Sequence, residues 1–318
     1  MSLEISYIIV NFNTGTLLEK CVRSLLRFEN FKSYEIVIVD NLSTDDSKYI
    51  IERLSKEFQC VKTFYLYHKV SFSEANNIGI DNSNGKYIVI LNPDIIWEEP
   101  VLGKLINKIQ TNKDIGAISP LLVGNDGKFQ RNYFQRYPSI LQFLFFYSIF
   151  SKIFIRYNGL LNRYLENQDI EKTEKEIVIV EQLPCAFILM SKETFLKAGK
   201  LDPNYKLFFE DVDLSYRINK FAQLAVFKGA KVFHLGGASM SAHNNYWLYG
   251  RFLLSMVYFF SKHYSRTKTL ILKILIILNS SLILLIEFSK LILGKQNKYR
   301  LKKHKYVISE FRKEFLKW

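Results

Sequence analysis

The hydrophobic positions of the first hundred residues change period several times. Ser6–Phe12 is a continuous apolar, β-branched run and predicts a buried strand. Leu17–Phe28 carries Leu17, Cys21, Leu25 and Phe28 at helical spacing, with Thr14 or Thr16 placed to cap it. Tyr34–Asp40 predicts a second strand, and Ser43-Thr44-Asp45-Asp46 reads as a capping box opening a helix to about Phe58. A strand over Val61–Tyr67, a helix over Ser73–Asn82 and a strand over Tyr87–Asn92 follow. Strands alternating with helices imply parallel strands joined by right-handed crossovers, covered on both faces because their apolar runs are unbroken.

Further along, the pattern predicts a helix over Leu102–Gln110 and a strand over Ile115–Leu122. Ser139–Tyr157 is long and aromatic, compatible with a core helix or with an acceptor-cleft or lipid-facing one. Glu166–Glu176 is charged and loop-like, and strand character over Ile177–Met190 is broken by Pro184. Helices are expected over Ser191–Ala198, stopped by Gly199, and over Val212–Phe221, then a strand over Ala225–His234. From Tyr246 the chain is amphipathic and helical. Leu270–Leu293 is its most apolar stretch, but the uncharged run from Lys273 to Glu287 falls short of the ~20 residues that span a bilayer. That segment is expected to lie in an interface or to be buried.

Composition narrows the classes. In 318 residues, 48% are hydrophobic and 23% charged, which fits a folded chain and not long disorder. The net charge of +14 calls for an anionic partner. Much of it is concentrated after Lys290, at Lys295, Lys298, Arg300, Lys302, Lys303, Lys305, Arg312, Lys313 and Lys317, beside the apolar segment. This suits an anionic membrane face better than a nucleic acid; a solvated helical cap is the alternative. Three cysteines with no C-x-x-C spacing indicate a reducing cytosol, and the N-terminus has no signal-peptide pattern. Neither a Walker A sequence nor G-x-G-x-x-G after the first strand is present, which disfavours those nucleotide-binding classes.

Polar residues fall where the predicted strands end: Asn11 and Asn13 after the first, Asp40 at the second, Asn92 and Asp94 at the fourth. Ligands of such sheets bind at those carboxyl ends. Asp94 in Asn92-Pro93-Asp94 is a candidate ligand for a hard divalent cation, although the tripeptide is also ordinary turn chemistry. Phe208-Phe209-Glu210-Asp211-Val212-Asp213-Leu214 sets three carboxylates beside two bulky aromatics. Helix-dipole complementarity explains one or two of them; a partly buried one acquires a raised pKa and the capacity to act as a base. Asp213 and Arg217 are spaced to pair. His234, before Leu235-Gly236-Gly237, is either a structural strand-end histidine or a metal ligand.

The segments YIIVNFN, EIVIVDNLSTDDS, EANNIGI, YIVILNPD, LPCAFILMSKETFLKAGKLDPNYKLFFEDVDLSYRI and VFHLGGAS span about residues 5–241. Each is degenerate alone, but their order and spacing resemble an inverting glycosyltransferase of family 2. The pattern is nearest the rhamnosyltransferase-like and galactofuranosyltransferase-like members. The resemblance implies an α/β GT-A fold, a Rossmann-like and mostly parallel sheet with flanking helices, followed by C-terminal amphipathic helices. It implies a catalytic domain over 1–265, with a nucleotide half (1–122) and an acceptor half (123–265), and a basic helical region over 266–318. By the same resemblance Asp40 would bond the nucleobase, and Asn11 and Asn13 would line the nucleotide pocket. Asn92 would stand near the ribose or diphosphate, and Asp94 and His234 would hold Mg²⁺ or Mn²⁺. Asp211 would be the base, Glu210 would hold a sugar, and Trp247 and Arg251 would serve the diphosphate or acceptor side. Two departures from the family pattern are Asn92, in place of the first carboxylate of Asp-x-Asp, and His68–Phe72, in place of Asn-x-Gly-Phe.

The implied partners are a nucleoside diphosphate sugar donor (rhamnose or hexose), a saccharide or lipid-linked saccharide acceptor, and an anionic membrane surface, with no nucleic acid. The expected location is the cytoplasmic face of the cell membrane. The rivals are a sugar-nucleotide-forming nucleotidyltransferase, disfavoured because Asn11-Phe12-Asn13-Thr14-Gly15 is not its glycine-rich basic loop, and a non-catalytic membrane-bound partner protein.

Overall fold

The structure, a computed structural model, describes residues 4–29, 33–130, 133–151, 167–236, 245–292, 294–295 and 297–315. The chain divides into two compact units: one drawn from residues 1–137, 165–204 and 210–240, the other from 138–164, 205–209 and 241–318.

The first unit is built on one sheet. Strands β1 (Ile5–Asn11), β2 (Tyr34–Asp40), β3 (Val61–Tyr65) and β4 (Tyr87–Leu91) are parallel, in the order β3-β2-β1-β4. Helices α1 (Gly15–Phe28), α2 (Ser47–Glu57) and α3 (Phe72–Asp81) are the crossovers. Every residue of β1 is buried, as an unbroken apolar run requires when both faces are covered. On α1, Leu18, Cys21, Val22 and Leu25 form the buried stripe. Register places Asn11 opposite Asp40 and Ile9 opposite Leu91, so the carboxyl ends of β1, β2 and β4 share one edge.

The other half of the sheet is mixed. Beyond β5 (Ile95–Ile96), α4 (Leu102–Thr111) and β6 (Ile115–Val123), the run expected over Ile177–Met190 is two strands, β7 (Ile177–Val180) and β8 (Phe187–Ser191). They are followed by α5 (Lys192–Lys197), α6 (Glu210–Ile218) and β9 (Gln223–His234). β8 lies antiparallel between β4 and β6, while β9 is parallel to β6 and antiparallel to β5 and β7. Antiparallel neighbours need no helical crossover, so the strict alternation of the first hundred residues does not continue here.

Several local expectations change for identifiable reasons. Ser43 does not cap α2; its hydroxyl donates to Asp40 Oδ1 at 2.6 Å and accepts from the Asn13 amide at 2.9 Å, while α2 starts four residues later at Ser47. Thr14 occupies the cap position of α1, but its hydroxyl donates to Asn11 Oδ1 at 2.8 Å. The first helical turn of α4 is capped from far away in sequence: Glu29 Oε1 accepts from the Val101 and Leu102 amides and from Trp97 Nε1. Helix α6 begins at Glu210, earlier than the predicted Val212, so all three acidic residues lie in its first turn. Asp213 and Arg217 pair at 2.6 Å as spaced, with Asp213 fully buried. Gly85 is a packing glycine, not part of a phosphate loop, since a Cβ there would stand 2.5 Å from the Ser6 amide nitrogen.

The second unit is helical. Helices α7 (Asn245–His263), α8 (Arg266–Ile292) and α9 (Lys298–Phe315) pack on one another. The helix expected over Ser139–Tyr157 is shorter: a Ser139-capped turn, Ile140–Gln142, runs into a π-helical turn, Phe143–Tyr147, and Ser148 is extended. Residues 152–157 of that expectation lie outside the described residues. Phe209 packs on Phe252 and Phe259, and Ser255 donates to the Leu207 carbonyl at 2.7 Å. By length and composition alone, α8 is apolar and long enough to cross a membrane.

Candidate active site

The carboxyl edge of the sheet carries two groups of polar side chains. At the ends of β1 and β2, Asn11 Nδ2 donates to Asp40 Oδ1 (2.8 Å) and Ser43 Oγ (3.1 Å), and Asp40 Oδ2 accepts from the Ser43 amide (3.0 Å). Asn11 and Asp40 are buried, and Asp40 spends most of its acceptor capacity on the protein. The exposed member is Asn13, held at a φ of 53° with its Oδ1 accepting from the Thr44 amide at 2.7 Å. Asn41 clamps Val70 through two backbone bonds of 3.0 Å, which fixes the segment that departs from the family pattern.

The second group surrounds the end of β4. Register sets Ile95 opposite His234, which brings Asp94 to the histidine. Asp94 Oδ1 stands 3.4 Å from His234 Nε2, and Asn92 Nδ2 is also 3.4 Å from that nitrogen. On the far side of the ring, Gln130 Nε2 donates to the His234 carbonyl at 2.7 Å. Its Oε1 therefore faces His234 Nδ1, at 2.8 Å, and must accept from it. The proton is thereby assigned to Nδ1, leaving Nε2 to accept from the Asn92 amide at 3.4 Å with Asp94 Oδ1 at the same distance. Both side chains are buried, and a carboxylate oxygen beside an imidazole nitrogen is a donor set that suits a divalent cation. Asp94 Oδ2 is steadied by the Gly236 amide at 2.9 Å. Gly236 has a φ of +74°, and a Cβ on it would lie 3.1 Å from Tyr133 Oη, so both conformation and space favour glycine.

Glu210 and Asp211 reach the same edge through β8. The Asn92 amide donates to the Ala186 carbonyl at 3.0 Å, and the Cys185 and Val212 amides hydrogen-bond Asp211. Burial pushes the Asp211 carboxyl up, against the pull of those amides. Burial, and then the charge of Asp211, push Glu210 up as well, and Glu210 Oε2 has no hydrogen-bond partner among the described residues. A helix N-terminus stabilises a carboxylate by only about 0.3–1 kcal/mol, so desolvation prevails. Tyr133 ties the groups together. Its ring meets His234 edge-on at 4.9 Å, and its phenol is pushed up by burial and by the charges of Asp94 and Asp211. The two residues preceding Glu210, Phe208 and Phe209, have φ of 65° and 70°, a left-handed conformation that is costly for bulky side chains and frequent beside functional groups.

Thus Asn11, Asn13, Asp40, Asn92, Asp94, Glu210, Asp211 and His234 all belong to the first unit. Arg251 belongs to the second, where its guanidinium lies 3.8 Å from Glu310 and 5.4 Å from the Trp247 ring centroid. Among the described residues no three His, Cys, Asp or Glu side chains form a metal-ligating group; Asp94 and His234 are a pair. Gln130 and Tyr133 were not legible as site residues. They follow β6 in a loop whose sequence has no recognisable spacing, and only the fold brings them to His234.

Solved structures share this architecture. The chain superposes on GalNAc-T7 bound to UDP, GalNAc and Mn²⁺ with a TM-score of 0.56 and 19% identity, covering 74% of this chain and 43% of that one. It superposes on Staphylococcus aureus TarS 1–349 in complex with UDP-GlcNAc with a TM-score of 0.54 and 13% identity, covering 80% and 66%. The fold is GT-A-like, a mixed central sheet with flanking helices. Residues 6–181 match the family Glycosyl transferase family 2, and the chain belongs to that family. Among curated relatives, it is 31% identical over 118 residues to "Glycosyltransferase GlyG" of Streptococcus pneumoniae, covering 37% of this chain and 38% of the relative. It is 32% identical over 106 residues to the "GalNAc(5)-diNAcBac-PP-undecaprenol beta-1,3-glucosyltransferase" of Campylobacter jejuni, covering 33% of this chain and 34% of the relative. The matched stretch is thus well under half the length of either relative.

Proposed function

We propose that this chain transfers a hexose or rhamnose from a nucleoside diphosphate to a saccharide or lipid-linked saccharide, with inversion, in cell-surface polysaccharide synthesis. The observation that carries the reading is the buried gap between His234 Nε2 and Asp94 Oδ1, on the same edge as a carboxylate whose proton affinity burial has raised. Asp94 and His234 would hold Mg²⁺ or Mn²⁺, which when bound neutralises charge on a leaving diphosphate. Asn11, Asn13 and Asp40 form the nucleotide end, with Asn92 toward the ribose or diphosphate.

Asp211 takes the proton of the acceptor hydroxyl, which must come within about 2.6–3.2 Å. The acceptor oxygen forms its bond to the anomeric carbon as the bond to the diphosphate oxygen breaks. The electron pair leaves on the diphosphate, and the proton passes from Asp211 to solvent. No covalent enzyme intermediate is required. Glu210, kept protonated by burial and by its neighbour, donates a hydrogen bond to a sugar oxygen. The names of the undecaprenol-linked relative above and of a Methanococcus voltae dolichyl phosphate-linked glucuronosyltransferase (33% identical over 126 residues, covering 39% of each chain) support a lipid-linked acceptor.

A position on the cytoplasmic face of the membrane accords with α8. Leu270, Ile274, Leu278, Leu285 and Phe288 are 44–68% exposed on one face, while Leu272, Ile276, Ile283 and Glu287 are buried on the opposite face. A helix that gives one face to its own unit and leaves the other apolar suits lying in an interface.

The test is a thermal-shift screen of UDP-hexoses and dTDP-rhamnose with Mn²⁺ or Mg²⁺, followed by NMR of the product anomer. A metal-dependent shift and an inverted product are expected. No shift with any donor supports the non-catalytic rival, and pyrophosphate release from a nucleoside triphosphate supports the nucleotidyltransferase.

A further inference from the structure

A polar cavity lies wholly within the helical unit. It has a volume of about 170 Å³ and is walled by Phe146, Tyr147, Tyr249, Ile283, Arg300 and Lys303. A single water needs only about 10–15 Å³ by such a measure, so the space admits a polyatomic group. Its two cations differ in how they are satisfied. Arg300 pairs with the buried Glu287 at 3.2 Å, which Lys290 and the Asn297 amide also engage. Lys303 is half-buried and pairs with no carboxylate among the described residues; its ammonium lies 4.0 Å from the Tyr249 ring centroid. A cation–π contact offsets only part of the cost of taking an ammonium out of water. Neighbouring His304 adds no charge near neutral pH, because burial, then Lys303 and Arg300, hold it down to about 4. The cavity therefore carries excess positive charge, and α9 presents both cations in its first two turns.

The rest of the wall is mixed: Ser148, Ser151 and His304 are polar, while Phe146, Ile149 and Ile283 give it an apolar part. A bare inorganic anion gains nothing from Phe146 and Ile283, whereas an amphiphile with an anionic head uses both kinds of wall. A phosphate group presents enough oxygens to engage an arginine fork and a lysine point charge together.

We propose that this cavity is a binding site for a phosphate group carried on a lipid. Every group involved belongs to the helical unit, so the site is separate from the transfer reading. It shares only the membrane setting proposed with that reading.

The test uses the full chain and dihexanoyl phosphatidic acid below its micelle concentration, so that no bilayer is needed, with binding followed by calorimetry. Dihexanoyl phosphatidylcholine and inorganic phosphate are run beside it. Phosphatidic acid is expected to bind, Lys303→Gln to weaken it about tenfold, and Lys303→Arg to retain it. Ser151→Glu, which adds a negative charge among the lining residues, provides a second variant should Lys303→Gln fold poorly, and is expected to abolish binding. Unchanged affinity in Lys303→Gln or Ser151→Glu, or equal affinity for phosphatidylcholine, overturns the site. Inorganic phosphate bound as tightly as the lipid overturns the lipid as its source.

Discussion

Replacing Asp211 by Asn isolates the base from its scaffold. The amide keeps one oxygen that can accept the Val212 N–H, now at 2.8 Å, so the bond within the first turn of α6 survives, while the Cys185 amide competes for the same oxygen. What disappears is the ability to take a proton. A positioned base is worth about 10²–10⁴ in rate, or about 2.7–5.4 kcal/mol of barrier. We expect kcat to fall by that factor while the donor KM stays within about twofold, because the interaction lost is made chiefly in the transition state. Stability supplies an independent reading. Asp211 and Glu210 have folded-state pKa values raised above the ordinary 3.8 and 4.5. Their contribution to stability is full below those ordinary values and is lost as pH rises through the raised ones. Asp211→Asn removes one such group and the charge that raises the other. The variant should therefore lose less stability than the wild type between pH 5 and pH 8, giving a flatter profile of Tm against pH. The assays are nucleoside diphosphate release with the donor found by thermal shift, and melting curves across that range. Turnover within about tenfold of wild type, or a loss confined to KM, would remove Asp211 from the role of base.

Three further outcomes are expected. His234→Ala should abolish Mn²⁺-dependent thermal stabilisation, and Gln130→Leu should weaken it about 10–100-fold by freeing the imidazole tautomer; an unaltered Mn²⁺ titration contradicts the pairing of Asp94 and His234. Gly236→Ala places a side chain at a φ of +74° and 3.1 Å from Tyr133 Oη, and should cost about 1–2 kcal/mol, visible as a lowered Tm. Leu278→Glu with Leu285→Glu, at positions 60% and 68% exposed, should change stability by less than about 1 kcal/mol yet lower co-sedimentation with anionic vesicles about tenfold; equal partitioning would detach α8 from the membrane.

The sequence by itself determined the parallel half of the sheet. Strands buried on both faces must be apolar throughout, and crossover helices must show a 3.6-residue stripe, so β1 to β4 and α1 to α3 were legible within a few residues. The strand-end positions of Asn11, Asp40 and Asp94 followed from the same pattern. Only the tertiary structure decided how the polar side chains are used. Ser43 shows this: besides its local bond to Asp40, its hydroxyl accepts from Asn11 Nδ2 and the Asn13 amide, about thirty residues away, instead of capping α2. The same holds for Gln130, whose amide sets the His234 tautomer across 104 residues of chain, and for Glu210, whose proton affinity comes from burial that no local pattern encodes. Local backbone preferences act over a few residues and leave a periodic trace in the sequence. Hydrogen bonding and desolvation act between residues that only folding makes neighbours.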